Sequence, residues 1–299
     1  MRIVRHPKKA RLHRPVVALG TFDGVHVGHR RVLEEAVRQA RRLGAHSTAI
    51  TFDPHPQEII APQRGLKLLT TLPEREELFC RLGVDSVIVF RFRKALQKLA
   101  SREFVEKYLV GKLGVRGVVV GYDYAFGRGR RAGVSELKEL GRRHGFSVTV
   151  VLPVKRGCHL AKSGRIRELL SQGEFAQAVR LLGHPYRITG KVVKGKGVGV
   201  RLGFPTANLK VDRRKLIPAE GVYFGYVGRK KCLVNIGSRP TFGPGELLAE
   251  VHLLDFHGSL RGQTLRVDLV RRFREERQFA DVDELIARIK KDIARARRL

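Results

Sequence analysis

The stretch GTFDGVHVGHR, residues 20–30, follows the short β-branched run VVAL, 16–19, and opens onto an amphipathic run at 29–43. Strand, glycine-bearing turn and helix in that order predict the first connection of an open parallel sheet. In such sheets ligands bind beyond the carboxyl ends of the strands, where the next helix points its N-terminus at them. Glycines at 20, 24 and 28 let backbone approach a ligand closely, and first-turn amides with the helix dipole favour a phosphate. His26 and His29 add imidazole donors at the same place. Nucleotidyl transfer piles negative charge on the oxygens of an α-phosphorus, and positioned donors stabilise that charge better than water does. Two other uses stay open from the residues alone: a histidine cap, or half of a metal site with His55, although no carboxylate or thiolate third ligand is obvious.

Outward from this turn the first half alternates. Apolar runs at 48–52, 84–90, 118–120 and 147–151 are separated by helical patterns at 73–82, at 135–144 and in a Ser101-capped stretch reaching Leu113. Such alternation predicts right-handed crossovers and a parallel sheet covered on both faces. Two short helical patterns occupy 165–182, and near Pro185 the texture changes to short β-branched runs punctuated by glycine and proline: RITGKVV, GVYFGYVG, KCLVNIG, LLAEVHLLDF and TLRVDLV. This spacing predicts a small antiparallel barrel. Leu285, Ile286, Ile289 and Ile293 share a helical face in the tail, 282–299, so a closing helix is expected. The expected fold is α/β: a doubly wound, Rossmann-like parallel-sheet domain over 1–184, with a short helical connector from about residue 160, then a barrel domain over 185–299.

Of the 299 residues, 60 are Lys or Arg and 28 Asp or Glu, a formal charge of +32. That excess draws polyanions, but its scatter along the chain, without helix-turn-helix, zinc-finger or RRM signatures, predicts only non-specific nucleic-acid contact. No apolar run approaches the roughly 20 residues of a membrane span, so no membrane association is expected. Cys80, Cys158 and Cys232 are far apart and lack CxxC spacing, which fits neither a disulfide framework nor a thiolate metal site and suits a reducing cytoplasm. The basic start, MRIVRHPKKARLHR, lacks the features of a secretory signal and reads as a retained, solvated arm.

The second half carries GKVVKGKGVGVRLGFPTANL, 190–209. Its glycines and basic residues could wrap phosphates, but it is neither a P-loop nor a dinucleotide fingerprint. The informative part is GFPTAN. Pro205 fixes a turn, and Thr206 and Asn208 offer neutral oxygens suited to Mg2+ carrying ATP. Downstream, strand alternation puts Glu250, His252 and Leu254 on one face and Val251, Leu253 and Asp255 on the other, so one of the two acids faces a site.

GTFDGVHVGH resembles the HxGH signature of the nucleotidyltransferase superfamily, in the GxFDGxHxGH form of bacterial FAD synthetases, the bifunctional riboflavin kinase/FMN adenylyltransferases. TFDPHP, 51–56, and GYDYAFGRGRRAG, 121–133, agree in order. GFPTAN, with PAEGVYFGYV, NIGSRPTF and EVHLLDFHGSLRG after it, resembles the riboflavin kinase half. The resemblance implies that His26 and His29 contact ATP phosphates, that Gly20, Phe22, Asp23 and Gly24 shape the nucleotide pocket, and that Asp123 and Phe126 line the flavin side. The family's S-S-T-x-x-R segment, which holds the triphosphate, is KSGRIR here: Ser163 and Arg167 match, while Lys162 and Gly164 depart. In the barrel, the resemblance implies that Gly190 and Lys196 bind nucleotide, that Thr206 and Asn208 hold Mg2+ and nucleotide, and that Glu250 is the base. RRFR, 271–274, resembles the family's segment near the flavin, which implies a flavin contact for Arg274.

The function so implied is ATP- and Mg2+-dependent: riboflavin to FMN in the second half, FMN to FAD with release of pyrophosphate in the first. No obligate protein partner is expected. The alternatives are a chain with one active half, the kinase, and a nucleic-acid-binding protein. A cytidylyltransferase would leave the second half unexplained.

Overall fold

Strands β1 (Arg2–Val4), β2 (Val16–Leu19), β3 (Ser47–Phe52), β4 (Ser86–Phe90), β5 (Gly117–Gly121) and β6 (Ser147–Val151) form one parallel sheet, ordered β1-β4-β3-β2-β5-β6. The structure is a computed structural model that describes residues 1–5, 14–195, 197–238 and 247–299. Its two compact units are Met1–Lys162 and Ser163–Leu299. From β2 the chain winds one way through β3 and β4 and the other way through β5 and β6, so the switch point lies at the carboxyl end of β2. Because helices cover both faces, β2 is apolar throughout rather than alternating. Val16 and Ala18 pack toward Val32, Leu33 and Ala36 on one side, and Val17 and Leu19 toward Leu109 and Val118 on the other.

The helices of this unit are α1 (Val27–Arg42), α2 (Pro56–Ile60), α3 (Leu72–Arg81), α4 (Lys94–Gln97), α5 (Ser101–Phe104) and α6 (Val134–His144), and a small hairpin, β7 (Lys155–Arg156) with β8 (His159–Leu160), follows β6. Two expectations are corrected. Ser101 is not a cap: Ala100 holds the cap position, the Ser101 hydroxyl donates to the Glu136 carboxylate, and a π-helical stretch, Val105–Val110, interrupts the helix expected to reach Leu113. Nor is the whole N-terminal segment a solvated arm, because Arg2–Val4 pairs with β4 and buries Val4. Residues 6–13 of that arm lie outside the described residues.

In the second unit, α7 (Ser163–Ser171) and α8 (Phe175–Leu182) precede β9 (Tyr186–Val193), α9 (Val198–Arg201), β10 (Ala207–Val211), β11 (Gly221–Val227), β12 (Lys230–Ser238), β13 (Leu247–Leu253), β14 (Thr264–Arg274) and α10 (Val282–Arg297). The six strands close as β10-β13-β12-β11-β14-β9, all neighbours antiparallel. Closure removes the free edges that an open sheet would expose. The connector helices expected to finish the first domain pack instead within this unit: the Phe175 ring meets Tyr223 edge-on at 5.0 Å, and the Ala219 amide donates to the Leu170 carbonyl at 2.9 Å. The closing helix forms as expected. Ile293 and Ala296 of α10 bury against Val222, Phe224, Leu233 and Leu254.

Candidate functional site

Residues 20–29 sit at the switch point of the sheet, beyond the end of β2. Phe22, Gly24 and Val25 all adopt left-handed backbone, with φ of 52°, 84° and 40°. For a phenylalanine and a β-branched valine this costs about 1–3 kcal/mol each, and it persists only where the surroundings over-determine it. Gly20 is required by packing, since a Cβ there would come within 3.0 Å of the Phe22 ring.

His26 is the cap of α1. Its Nδ1 accepts the amide hydrogens of Gly28 at 3.1 Å and His29 at 3.3 Å. An accepting Nδ1 carries no proton, so the remaining nitrogen, Nε2, is the donor. The cap reading therefore holds for this ring. His29 stacks on it, with centroids 3.7 Å apart and planes 17° from parallel, and Phe22 braces His29 edge-on at 5.4 Å. Gly28 makes this possible: a Cβ there would stand 3.1 Å from Cε1 of His26 and 3.7 Å from the Ala161 carbonyl. His55, the other half of a conceivable metal pair, instead caps α2 by accepting from the Gln57 amide at 3.1 Å. No group of three potential metal ligands occurs among the described residues.

Asp23 is fully buried, and its carboxylate accepts from the amides of Leu69 (3.0 Å) and Thr70 (2.9 Å) and from the Thr70 hydroxyl (3.1 Å). The Gly24 amide donates to that same hydroxyl at 2.9 Å. Asp23 and Gly24 therefore fasten the turn to the segment that enters α3. Arg75, on α3, was not singled out from sequence and is 2% exposed beneath the same turn. Its signal was available: an arginine on the buried stripe formed by Leu72 and Phe79.

Asp123 follows β5, the neighbour of β2, and is exposed, with Nζ of Lys162 3.9 Å from its carboxylate. Phe126 is not an open wall. It is 7% exposed, joins the hydrophobic core, and packs against Tyr124 and Phe104. Ser163 opens α7 with Arg167 one turn later, so the pair shares a helix face, and a Cβ on Gly164 would meet nothing within 4 Å.

In the barrel, Asn208, Glu250 and Asn235 stand opposite one another on β10, β13 and β12. The Thr206 hydroxyl donates to the Glu250 carboxylate at 3.4 Å, bringing two of the expected oxygens together. Asn208 is folded over Gly195, where a Cβ would collide with its amide. His252 is engaged with the Pro205 carbonyl at 2.8 Å and fixes the turn before β10. Asp255 lies beyond the strand and pairs with Arg297 of α10 at 2.7 Å. Glu276, missed from sequence, accepts from the Asn235 amide at 3.4 Å, and burial first, then Glu220 and Glu250, push its carboxyl up.

Two expected binding residues have structural roles of their own. Gly190 is paired within β9, with Leu209 and Lys210 3.0 Å from where its Cβ would be, so it serves the closeness of strands. Arg274 donates to Asp292 at 2.8 Å and anchors α10. Lys196 lies outside the described residues.

The FAD synthetase family model matches residues 8–164, and the riboflavin kinase model matches 182–299. Among curated relatives, proteins called bifunctional riboflavin kinase/FMN adenylyltransferase are 37% identical in Listeria monocytogenes (93% of this chain, 90% of that one) and 38% in Pseudomonas fluorescens (96% and 94%). A solved structure titled macrolide-efflux protein from Streptococcus pneumoniae superposes with a TM-score of 0.89 at 29% identity, over 99% of this chain and 98% of that one. No helix among the described residues of the present chain is long and apolar enough to cross a membrane.

Proposed function

Given that the chain belongs to the bifunctional riboflavin kinase/FMN adenylyltransferase family, we propose that His26 and His29 serve adenylyl transfer and that Glu250 serves phosphoryl transfer. The chain is a transferase: it makes FMN from riboflavin and ATP, and FAD from FMN and ATP. We assign the adenylyl step to 1–184 and the kinase step to 185–299; the ends of the two family matches, 164 and 182, bracket the connector between them.

In adenylyl transfer a phosphate oxygen of FMN attacks the α-phosphorus of ATP, the bond to the bridging oxygen breaks, and pyrophosphate leaves. Negative charge gathers on the α-phosphoryl oxygens. Nε2–H of His26, the donor of the ring because Nδ1 accepts from amides, donates to that charge; His29 and the start of α1 reinforce it. No covalent enzyme intermediate is needed. Asp123 serves the flavin side, and Ser163 and Arg167 hold the triphosphate.

In the kinase step Glu250 takes the proton of the ribityl 5′-hydroxyl as its oxygen attacks the γ-phosphorus and ADP leaves. Thr206 and Asn208 are the residues that would hold Mg2+ with its nucleotide; their neutral oxygens beside a carboxylate are the hard donor set this ion prefers. Bound there, the ion would neutralise phosphate charge.

The observation that carries this reading is the paired imidazoles at the head of α1 on the sheet's switch point. The test is incubation with riboflavin, ATP and Mg2+, with FMN and FAD resolved by chromatography. His29→Ala should abolish FAD and spare FMN; Glu250→Gln should do the opposite when FMN is supplied. Loss of both products in each variant would overturn independent sites, and FMN without FAD from the native chain would leave only the kinase half active. We assign the protein to the cytoplasm, without an obligate protein partner, and its +32 charge to non-specific polyanion contact. Salt-steep RNA affinity without flavin binding would overturn that last assignment.

A further inference from the structure

We propose that Arg75 is a positioning residue for adenylyl transfer, holding the strained turn that presents His26 and His29. The inference rests on the assignment of those histidines to that reaction.

One guanidinium joins three segments. Nη1 donates to the Thr21 carbonyl at 2.9 Å, to Oγ1 of Thr51 at 2.8 Å and to the Phe52 carbonyl at 3.4 Å, and Nη2 donates to the Thr70 carbonyl at 3.4 Å. Thr21 immediately precedes the left-handed Phe22, Thr51 and Phe52 end β3, and Thr70 is the residue that fastens Asp23 and Gly24. The Thr51 hydroxyl also donates to the Thr21 carbonyl at 2.8 Å, so that carbonyl is held twice. The arrangement carries a cost in stability. Burial opposes the charge of Arg75, Asp23 and Asp53 only partly answer it, and Nε finds no hydrogen-bond partner among the described residues. A buried cation is costly, and an apolar side chain would fill the space more cheaply. What an apolar side chain cannot do is grip three carbonyl-bearing loops in a fixed planar fork. Lysine offers one donor head and cannot span the same acceptors.

The test measures FMN adenylylation, with riboflavin phosphorylation by the same chain as the internal control, in Arg75→Gln, Arg75→Lys and Thr51→Val. A misplaced donor lowers transition-state stabilisation more than ground-state binding, so kcat for FAD formation should fall about 100-fold in Arg75→Gln and about tenfold in Arg75→Lys. The KM for ATP should stay within about threefold and kinase kcat within about twofold. Thr51→Val should cost about tenfold alone and less than that in the Arg75→Gln background, because the two share one hydrogen bond and hold the same Thr21 carbonyl. Unchanged adenylylation kcat in Arg75→Gln, or a rise in KM alone, overturns the proposal. If Arg75→Gln loses both activities, Thr51→Val decides: a loss confined to FAD formation supports it and no loss overturns it. His29→Ala runs alongside; should it keep native FAD formation, the reading of the histidines fails instead.

Discussion

His26 and His29 lie ring on ring, 3.7 Å between centroids, while Nδ1 of His26 receives two amides of its own helix. Capping and chemistry are separable by substitution. Asparagine is a good cap, so His26→Asn should keep thermal stability while FAD formation falls about 100-fold. His26→Ala should lose about 1 kcal/mol as well. Chemical denaturation and FAD chromatography on both variants check this, and native FAD formation by His26→Asn would reduce the ring to a cap.

Asp23→Asn places an amide nitrogen against backbone donors from Leu69 and Thr70. The lost charged hydrogen bonds should cost about 2–3 kcal/mol, read by denaturant unfolding of the first unit, with FAD formation lost and FMN formation retained.

Glu250 and Asp255 are distinguished by their partners. Asp255→Asn breaks only an exposed pair with Arg297, so kinase kcat should stay within about twofold and stability should change by less than about 1 kcal/mol. Glu250→Gln should lower FMN formation at least about 100-fold. Initial rates of FMN formation settle the comparison.

Lys162 faces Asp123 at 3.9 Å with both side chains more than half exposed. If its cation also meets the triphosphate, Lys162→Ser should raise the ATP KM of adenylylation about threefold to tenfold, and Gly164→Thr, for which there is open space, should recover part of it. An unchanged KM removes Lys162 from nucleotide binding.

Glu76 supplies a pH dependence. Burial pushes its carboxyl up, against the opposing pull of Arg5 and Arg75. The folded state therefore favours the protonated acid; that contribution is complete below the unfolded value of about 4.3 and is lost as pH rises through the folded one. Glu76→Gln should leave Tm unchanged near pH 4 and raise it by about 1–3 °C at pH 7, measured by scanning calorimetry.

The sheet, the barrel, the closing helix and the turn at 20–30 were legible because each rests on local periodicity or on glycines with a steric purpose, as at Gly28. What was not legible depends on contacts distant in sequence. The partner of Arg274 is Asp292, 18 residues on, and nothing local in RRFR announces that pairing. Arg75 and Glu276 sit in the charged runs PEREE and REER, and only the fold buries the first under Thr21 and turns the second toward Asn235. Phe126 matched a motif, yet motif identity does not say which side of a strand end an aromatic ring will choose.

Because a single ring seals the start of α1 and is also the one assigned to the nucleotide, the histidines cannot be transplanted as a pair of side chains. A scaffold borrowing them would need the bare position at Gly28 and a helix beginning there. The smallest portable unit is the backbone of 20–29 together with the α3 guanidinium that grips it.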